Sequence, residues 1–264
     1  YRMGREGKEV FGESLAPDEP DNMTHGSTLY FAFHNVPEPA DFSDLPWATE
    51  ITRDHIEITS DHTWEYGHWR HMINDAEEIR DYMLRAIYGN LVNLKQKFAE
   101  ATKLTEYERV GYIAARGESR RLMGDYILTQ GDIQSQRDFP DGVATGSLVF
   151  CLHYPREDYD FRNRLDLRAV EPYEIPFRCL YSRNVTNLMM AGRDISATHI
   201  AYCSTKLQKT GGQMGRAVGA AAALCAKHGT TPRGVYERHI AELQDIVEQK
   251  GAYEEALAPS GADE

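Results

Sequence analysis

Three glycines in the segment TGGQMGRAVGAAAALCAKHG, namely Gly211, Gly215 and Gly219, recur at four-residue spacing and so fall on one face of a helix. A glycine inside a helix costs about 1 kcal/mol relative to alanine. Three on one face imply a close neighbour, either a packed strand or a ligand. The opening of that helix, Thr210, Gly211 and Gly212, leaves first-turn amides unobstructed, which suits an anion or a carbonyl oxygen. Upstream, the apolar run 187–191 stops at Gly192, Arg193 and Asp194. Asp194 then lies at the carboxyl end of an expected strand, where open α/β sheets place their ligands. A turn-forming or capping role is the alternative for this residue. In SLVFCLHY (147–154), Leu148, Phe150, Leu152 and Tyr154 share one face, while Val149, Cys151 and His153 share the other. His153 therefore leaves the sheet opposite the bulkiest side chains.

A second chemistry is offered by His62, Glu65, His68 and His71, since three imidazoles and a carboxylate suit zinc and metal-dependent hydrolysis. Convergence of that set needs a helix, which Trp64, Gly67 and Trp69 disfavour, and no HExxH motif occurs. The aromatic residues Trp64, Tyr66 and Trp69 fit either a core or the surface of a non-enzymatic binding module.

Several elements must position these groups. Strands are expected over 28–34, 54–60, 108–116, 123–130 and 147–154. Ile79, Met83, Ile87, Leu91, Leu94 and Phe98 recur every three or four residues and predict an amphipathic helix over 74–98, with Gly89 and Asn90 as a break point. The final third reads as strand, loop and small-residue helix. A terminal amphipathic helix then starts at Thr231 as N-cap with Pro232 in the first helical position, and the tail from Gly251 is expected to fray.

The chain has 264 residues, with 29 basic and 41 acidic side chains and a net charge of −12. That acidic balance, without a basic stripe, argues against nucleic acid as a partner. Its longest small or apolar run, AVGAAAALCA, is half the length of a membrane-spanning helix. Four cysteines more than twenty residues apart form no CxxC pair, so reduced thiols are expected.

Together NLMMAGRDISATHIA and the glycine helix resemble the carboxy-terminal flavin-binding segment of the FAD-dependent oxidoreductase family, within the glutathione-reductase-like flavoproteins. Further blocks extend the resemblance over nearly the whole chain: YRMGREGKEVFGESLAP, WEYGHWR, RGESRRLMGDYILTQGDI and SLVFCLHYP. Two departures stand out. Gly211 occupies a position where many relatives carry Cys, and Cys151 replaces the Asp of a D-x-H element. No GxGxxG follows a strand, and the opening residues hold neither an initiator Met nor a signal. The expectation is the later part of a larger flavoprotein, completed by an amino-terminal half, with homo-oligomers possible and a cytoplasmic location unless a signal precedes Tyr1.

The resemblance implies an α/β fold, with a mixed-sheet substrate or cap region over 1–180 and the last strand and helix of a Rossmann-like FAD-binding domain over 181–230. A terminal helix and tail would occupy 231–264. It implies FAD as cofactor, with Gly192, Arg193 and Asp194 bordering its phosphates and ribityl chain. Thr210, Gly211 and Gly212 would lie near the pyrimidine edge. A flavin oxidoreductase acting on a small molecule must orient its substrate and handle one proton. Arginine suits an oxyanion or carboxylate and histidine suits proton transfer near neutral pH. The candidates are His153, His199 and Arg120 for catalysis, and Arg116, Arg121 and Tyr202 for substrate.

Overall fold

The computed structural model describes residues 1–39, 45–51 and 64–248. The strand expected over 54–60, His62 and the tail from Gly251 lie outside the described residues. In chain order the elements are α1 (Lys8–Phe11), β1 (Ser27–Thr28), β2 (Phe31–Asn35), β3 (Glu65–Tyr66), α2 (Ala76–Lys97), α3 (Ala99–Thr102), β4 (Thr105–Val110) and β5 (Ala115–Arg116). They continue with α4 (Gln130–Gln134), β6 (Gly142–Gly146), β7 (Phe150–Pro155), β8 (Asn163–Arg168), β9 (Tyr173–Pro176), α5 (His199–Thr205), α6 (Gln208–His228) and α7 (Pro232–Glu248).

Every strand ladder among the described residues is antiparallel: β3-β1-β5, β2-β4, β6-β9 and β7-β8. The fold is thus α/β with small antiparallel sheets, which corrects the mixed sheet expected for 1–180. One parallel contact exists, the bridge between Leu128 and Ala197. The strand expected over 28–34 is split at Leu29 and Tyr30, because its two halves join different sheets. The run 187–191 forms no extended strand either. It folds back on 180–182, with Met190 N donating to Leu180 O and Ser182 N donating to Leu188 O, and contributes a single bridge from Met189 to Tyr181. The segment 123–130 ends in a helix, since Thr129 and Asp132 form a reciprocal capping box that starts α4.

Two apolar clusters hold these elements. The smaller joins Leu29, Phe31, Trp64, Met83, Ile87 and Phe161 around α2. In the larger, Phe150, Leu152, Ile175 and Phe177 meet Tyr202 of α5, Met214 and Ala217 of α6, and Val235 of α7. Trp64 is accordingly a core residue, whereas Trp69 is exposed. Thr231 caps α7 as expected, its hydroxyl accepting from Gly234 N at 3.2 Å. All four cysteines are free thiols.

The helix predicted over 74–98 is observed as an unbroken α2, so Gly89 does not interrupt it. Segment 45–51 lies across this helix, held by Thr49 N donating to Arg85 O at 3.0 Å and by Arg85 Nε donating to Trp47 O at 3.1 Å. A Cβ at Gly89 would overlap the Thr49 carbonyl oxygen. Glycine is required there by close approach of two backbones. Gly89→Ala should lower stability by about 1–3 kcal/mol, the cost of overpacking, although the same change in an exposed helix is stabilising. Urea unfolding measures this, and an unchanged or raised midpoint would contradict the packing described.

Candidate active site

Helix α5 places the groups of the candidate site. Its N-cap Thr198 accepts from Ala201 N at 3.1 Å and donates to the buried Glu13 at 2.6 Å. The start of α5 is fixed against Leu128, whose amide donates to Ser196 O at 3.0 Å and whose carbonyl accepts from Thr198 N at 2.9 Å. From there His199, Cys203 and Lys206 follow at i, i+4 and i+7 and share one face, packed against β7. Cys151 and His153 project from β7 toward that face, while Phe150 and Leu152 enter the apolar core on the other side. The alternation read from the sequence therefore holds. Glu65 comes from β3, whose entry is tied by Glu65 N donating to Phe161 O at 3.0 Å. His25 reaches the cluster from the loop before β1.

The resulting buried cluster is tightly bonded. His153 Nδ1 lies 2.7 Å from Glu65 Oε2, and Asn163 of β8 also donates to that carboxylate. His153 Nε2 faces Cys151 Sγ at 3.3 Å and Lys206 Nζ at 2.9 Å. Lys206 further contacts His25 Nδ1 at 3.2 Å and the Cys151 carbonyl oxygen at 3.0 Å. The rings of His25 and His153 stack with centroids 4.2 Å apart. His25 Nε2 lies 3.2 Å from Cys203 Sγ, and His199 Nε2 reaches the same sulfur at 3.7 Å.

Beneath these groups runs an ion-pair network. Arg121, 1% exposed, donates to Glu118, to Glu6 at 2.8 Å, to Gly4 O at 2.8 Å and to Ala197 O at 3.0 Å. Glu118 also pairs with His199 Nδ1 at 3.0 Å and accepts the His25 amide at 3.1 Å. The guanidinium of Arg121 is thus committed to the fold. Tyr202 is fully buried as well, its hydroxyl bonded to Gly117 O.

Sequence-derived candidates separate into two groups. His153, His199, Tyr202 and Arg121 belong to the buried cluster. Arg116, Arg120, Arg193 and Asp194 line a surface groove of about 240 Å3 together with Gly117, Glu118 and Ser119. Arg193 Nη1 donates to the carbonyls of Arg116 at 2.5 Å and Gly117 at 3.1 Å, and the Arg120 guanidinium lies 5.1 Å from the Tyr1 ring. Asp194 is half-buried, and burial raises its carboxyl above the usual range. The residue 116–121 stretch is the wall between the two groups.

At the glycine helix, α6 begins at Gln208, two residues before the expected start. Thr210 is buried in its first turn, and Gly211 N already donates to Leu207 O at 2.8 Å. The unbonded first-turn amides therefore belong to residues 208–210 rather than to the Gly-Gly pair. Gly192, at φ 101°, faces Gly211: a Cβ on Gly211 would stand 3.6 Å from Gly192 Cα. Added Cβ atoms at Gly192, Gly212, Gly215 and Gly219 would meet nothing within 4 Å.

Metal ligation by the expected set and by the buried cluster is disfavoured. His71 is exposed, with Nδ1 accepting from Ile73 N and Asn74 N, whereas Glu65 and His68 are buried. The sets His25, Glu65, His153 and His25, His199, Cys203 do bring ligand atoms within 4.8 Å of one another. Lys206 already places an ammonium against His25 and His153, and a divalent cation beside it would meet like-charge repulsion. Sequence reasoning passed over His25, Glu118, Cys203 and Lys206. The i, i+4, i+7 spacing on α5 marks two of them, whereas His25 lies in a loop with no period to reveal it.

Protonation follows from the partners. Burial opposes charge on His199, yet Glu118, assisted by Cys203, holds its pKa up at about 10. Burial likewise opposes charge on His153 and is overcome by Cys151 and Glu65, so that pKa is raised. His25 is driven well below the ordinary value by burial and by Lys206, and stays neutral. Glu118 is lowered, since His199 and Arg121 outweigh its burial. Because the folded pKa of His199 exceeds its ordinary 6.5, its stabilisation is complete below pH 6.5 and is lost as pH rises through about 10. Glu118 contributes above its ordinary 4.5 and loses that contribution as pH falls through its depressed folded value. Thermal midpoints of the wild type should therefore decline between pH 7 and 10, and His199→Gln should flatten this limb. Equal slopes for the two proteins would remove the charged His199 from the account.

A family model described as FAD dependent oxidoreductase matches residues 1–247. No curated protein and no solved structure matches the chain. No helix among the described residues is long and apolar enough to cross a membrane. With a match over nearly its whole length, the chain belongs to the FAD-dependent oxidoreductase family.

Proposed function

We propose that the chain oxidises a small polar substrate by transfer of a hydride to N5 of FAD, with His153 taking the accompanying proton. The observation that carries this reading is the Glu65–His153 pair at 2.7 Å, within a chain whose family is FAD dependent. A carboxylate on Nδ1 fixes the imidazole tautomer and leaves Nε2 as the proton acceptor. Lys206, 2.9 Å from Nε2, stabilises the alkoxide that forms as a hydroxyl proton leaves. Arg116 and Arg120 line the groove with Arg193 and Asp194, across the wall from His153, and suit an anionic group seated there. Hydroxy acids and sugars are the proposed substrate classes, since both carry the hydroxyl that this step deprotonates.

The residues present fit FAD. Gly192 in its left-handed conformation lies beside Gly211, and the surface of α6 along Gly212, Gly215 and Gly219 is open, so that a flat group can approach the backbone there. Gly192, Arg193 and Asp194 would border the phosphates and ribityl chain, and Thr210, Gly211 and Gly212 the pyrimidine edge. Segment 181–230 would be the corresponding part of a Rossmann-like domain. When bound, FAD supplies a hydride acceptor at N5. His199, charged and held by Glu118, positions α5 and reaches the proton-handling groups through Cys203 and His25.

The protein purified in its natural polypeptide should carry a flavin spectrum or gain one with added FAD. A colourless product after reconstitution would sink the reading. Asp194→Ala should lower flavin retention. His153→Gln should leave flavin content intact and slow turnover about 10²- to 10⁴-fold, the scale of a general base, across hydroxy-acid and sugar substrates. Flavin loss in His153→Gln would make that residue structural.

A further inference from the structure

Cys151 occupies a position that the flavin reading leaves without a task. Its sulfur lies 3.3 Å from His153 Nε2, and His153 Nδ1 lies 2.7 Å from Glu65, which Asn163 also engages. This is the order nucleophile, base, orienting carboxylate. Lys206 adds an ammonium 2.9 Å from the same Nε2. Among the described residues, the charged or titratable groups that face the thiol are His153 on its own strand, Glu65 from β3 with the neutral His68 beyond it, and Lys206 with His25 from the α5 side. The base His153 and the Lys206 ammonium thus act on this sulfur against one carboxylate, itself held by His153 and Asn163. Cys151 is partly exposed, whereas Cys179 and Cys203 are buried.

We infer that Cys151 is a nucleophilic cysteine, activated by His153, oriented through Glu65, and suited to capture the carbonyl carbon of an aldehyde. The balance is simple. The thiol proton passes to His153 Nε2, and the sulfur lone pair forms a bond to the carbonyl carbon. The π pair moves to oxygen beside the Lys206 ammonium, and the oxygen takes the proton back from His153. The product is a neutral thiohemiacetal, with nothing oxidised or reduced. Lys206 Nζ, 2.9 Å from the Nε2 that faces the sulfur and 3.0 Å from the Cys151 carbonyl oxygen, is a cationic donor beside the thiol, which favours a carbonyl over electrophiles that develop no oxyanion. His153 is shared with the flavin reading, but the capture step does not depend on flavin.

Cys225 is the internal control, being partly exposed and without a base, its thiol pushed up by burial where burial of Cys151 is overcome by His153 and Lys206. With limiting iodoacetamide at pH 7, peptide mass spectrometry should find Cys151 alkylated at least about tenfold faster than Cys225, as expected for a thiol with a lowered pKa. Its rate should level off at a lower pH. Acetaldehyde should slow labelling at Cys151 and leave Cys225 unchanged. Equal labelling rates, or no selective protection, would overturn the inference. So would acetaldehyde fixed on Lys206 by borohydride, which would assign the carbonyl chemistry to the amine. All these readouts use the wild-type chain and do not require a variant to fold.

Discussion

The guanidinium of Arg121, closed between the carboxylates of Glu6 and Glu118, is the constraint on which the rest of the site depends. Taking ions out of water costs several kcal/mol each, so such a network holds only when each member keeps its partners. Here the partners come from three distant stretches of chain: residues 4–6, residues 118–121 and residues 197–199. Glu6 also accepts the His199 amide at 2.8 Å, which pins the first turn of α5 to the amino-terminal segment. The direction in which His199, Cys203 and Lys206 point follows from that anchor.

Above the network, one short helix face governs two stacked imidazoles. Two imidazolium rings 4.2 Å apart would repel. Lys206 resolves the conflict by presenting its ammonium to both rings, which favours neutral His25 beside a His153 supported by Glu65. A conservative exchange of Lys206 for Arg would not reproduce this arrangement. A compact ammonium directs its three donors to three acceptors, whereas a planar fork cannot.

Parts of this were legible in the sequence because they are local. The 3.6-residue period of Ile79, Met83, Ile87 and Leu91 specified α2, and the alternation around His153 specified which way it faces. Other features depend on partners remote in the chain. Gly89 looks like a helix breaker until Thr49 is laid across it. The run 187–191 is apolar enough for a strand, but its backbone groups are taken by 180–182. His25 and Glu118 carry no periodic signal, since loops deliver them. The resemblance of the ordered blocks identified the family where physical patterning alone left a lone Asp and a glycine stripe open to structural readings.

Gly26 and Gly117 meet where neither could carry a side chain: a Cβ on Gly117 would overlap Gly26 O at 2.6 Å and His25 Cβ at 2.7 Å. The Gly117 carbonyl meanwhile receives Arg193 from one side and Tyr202 from the other. The partition between the arginine groove and the histidine cluster is therefore one peptide thick. Across so thin a layer of backbone, an anion seated in the groove would act on the imidazoles partly through protein, where the effective dielectric is lower than in bulk water. Charge on one side and proton affinity on the other are two readings of a single local potential.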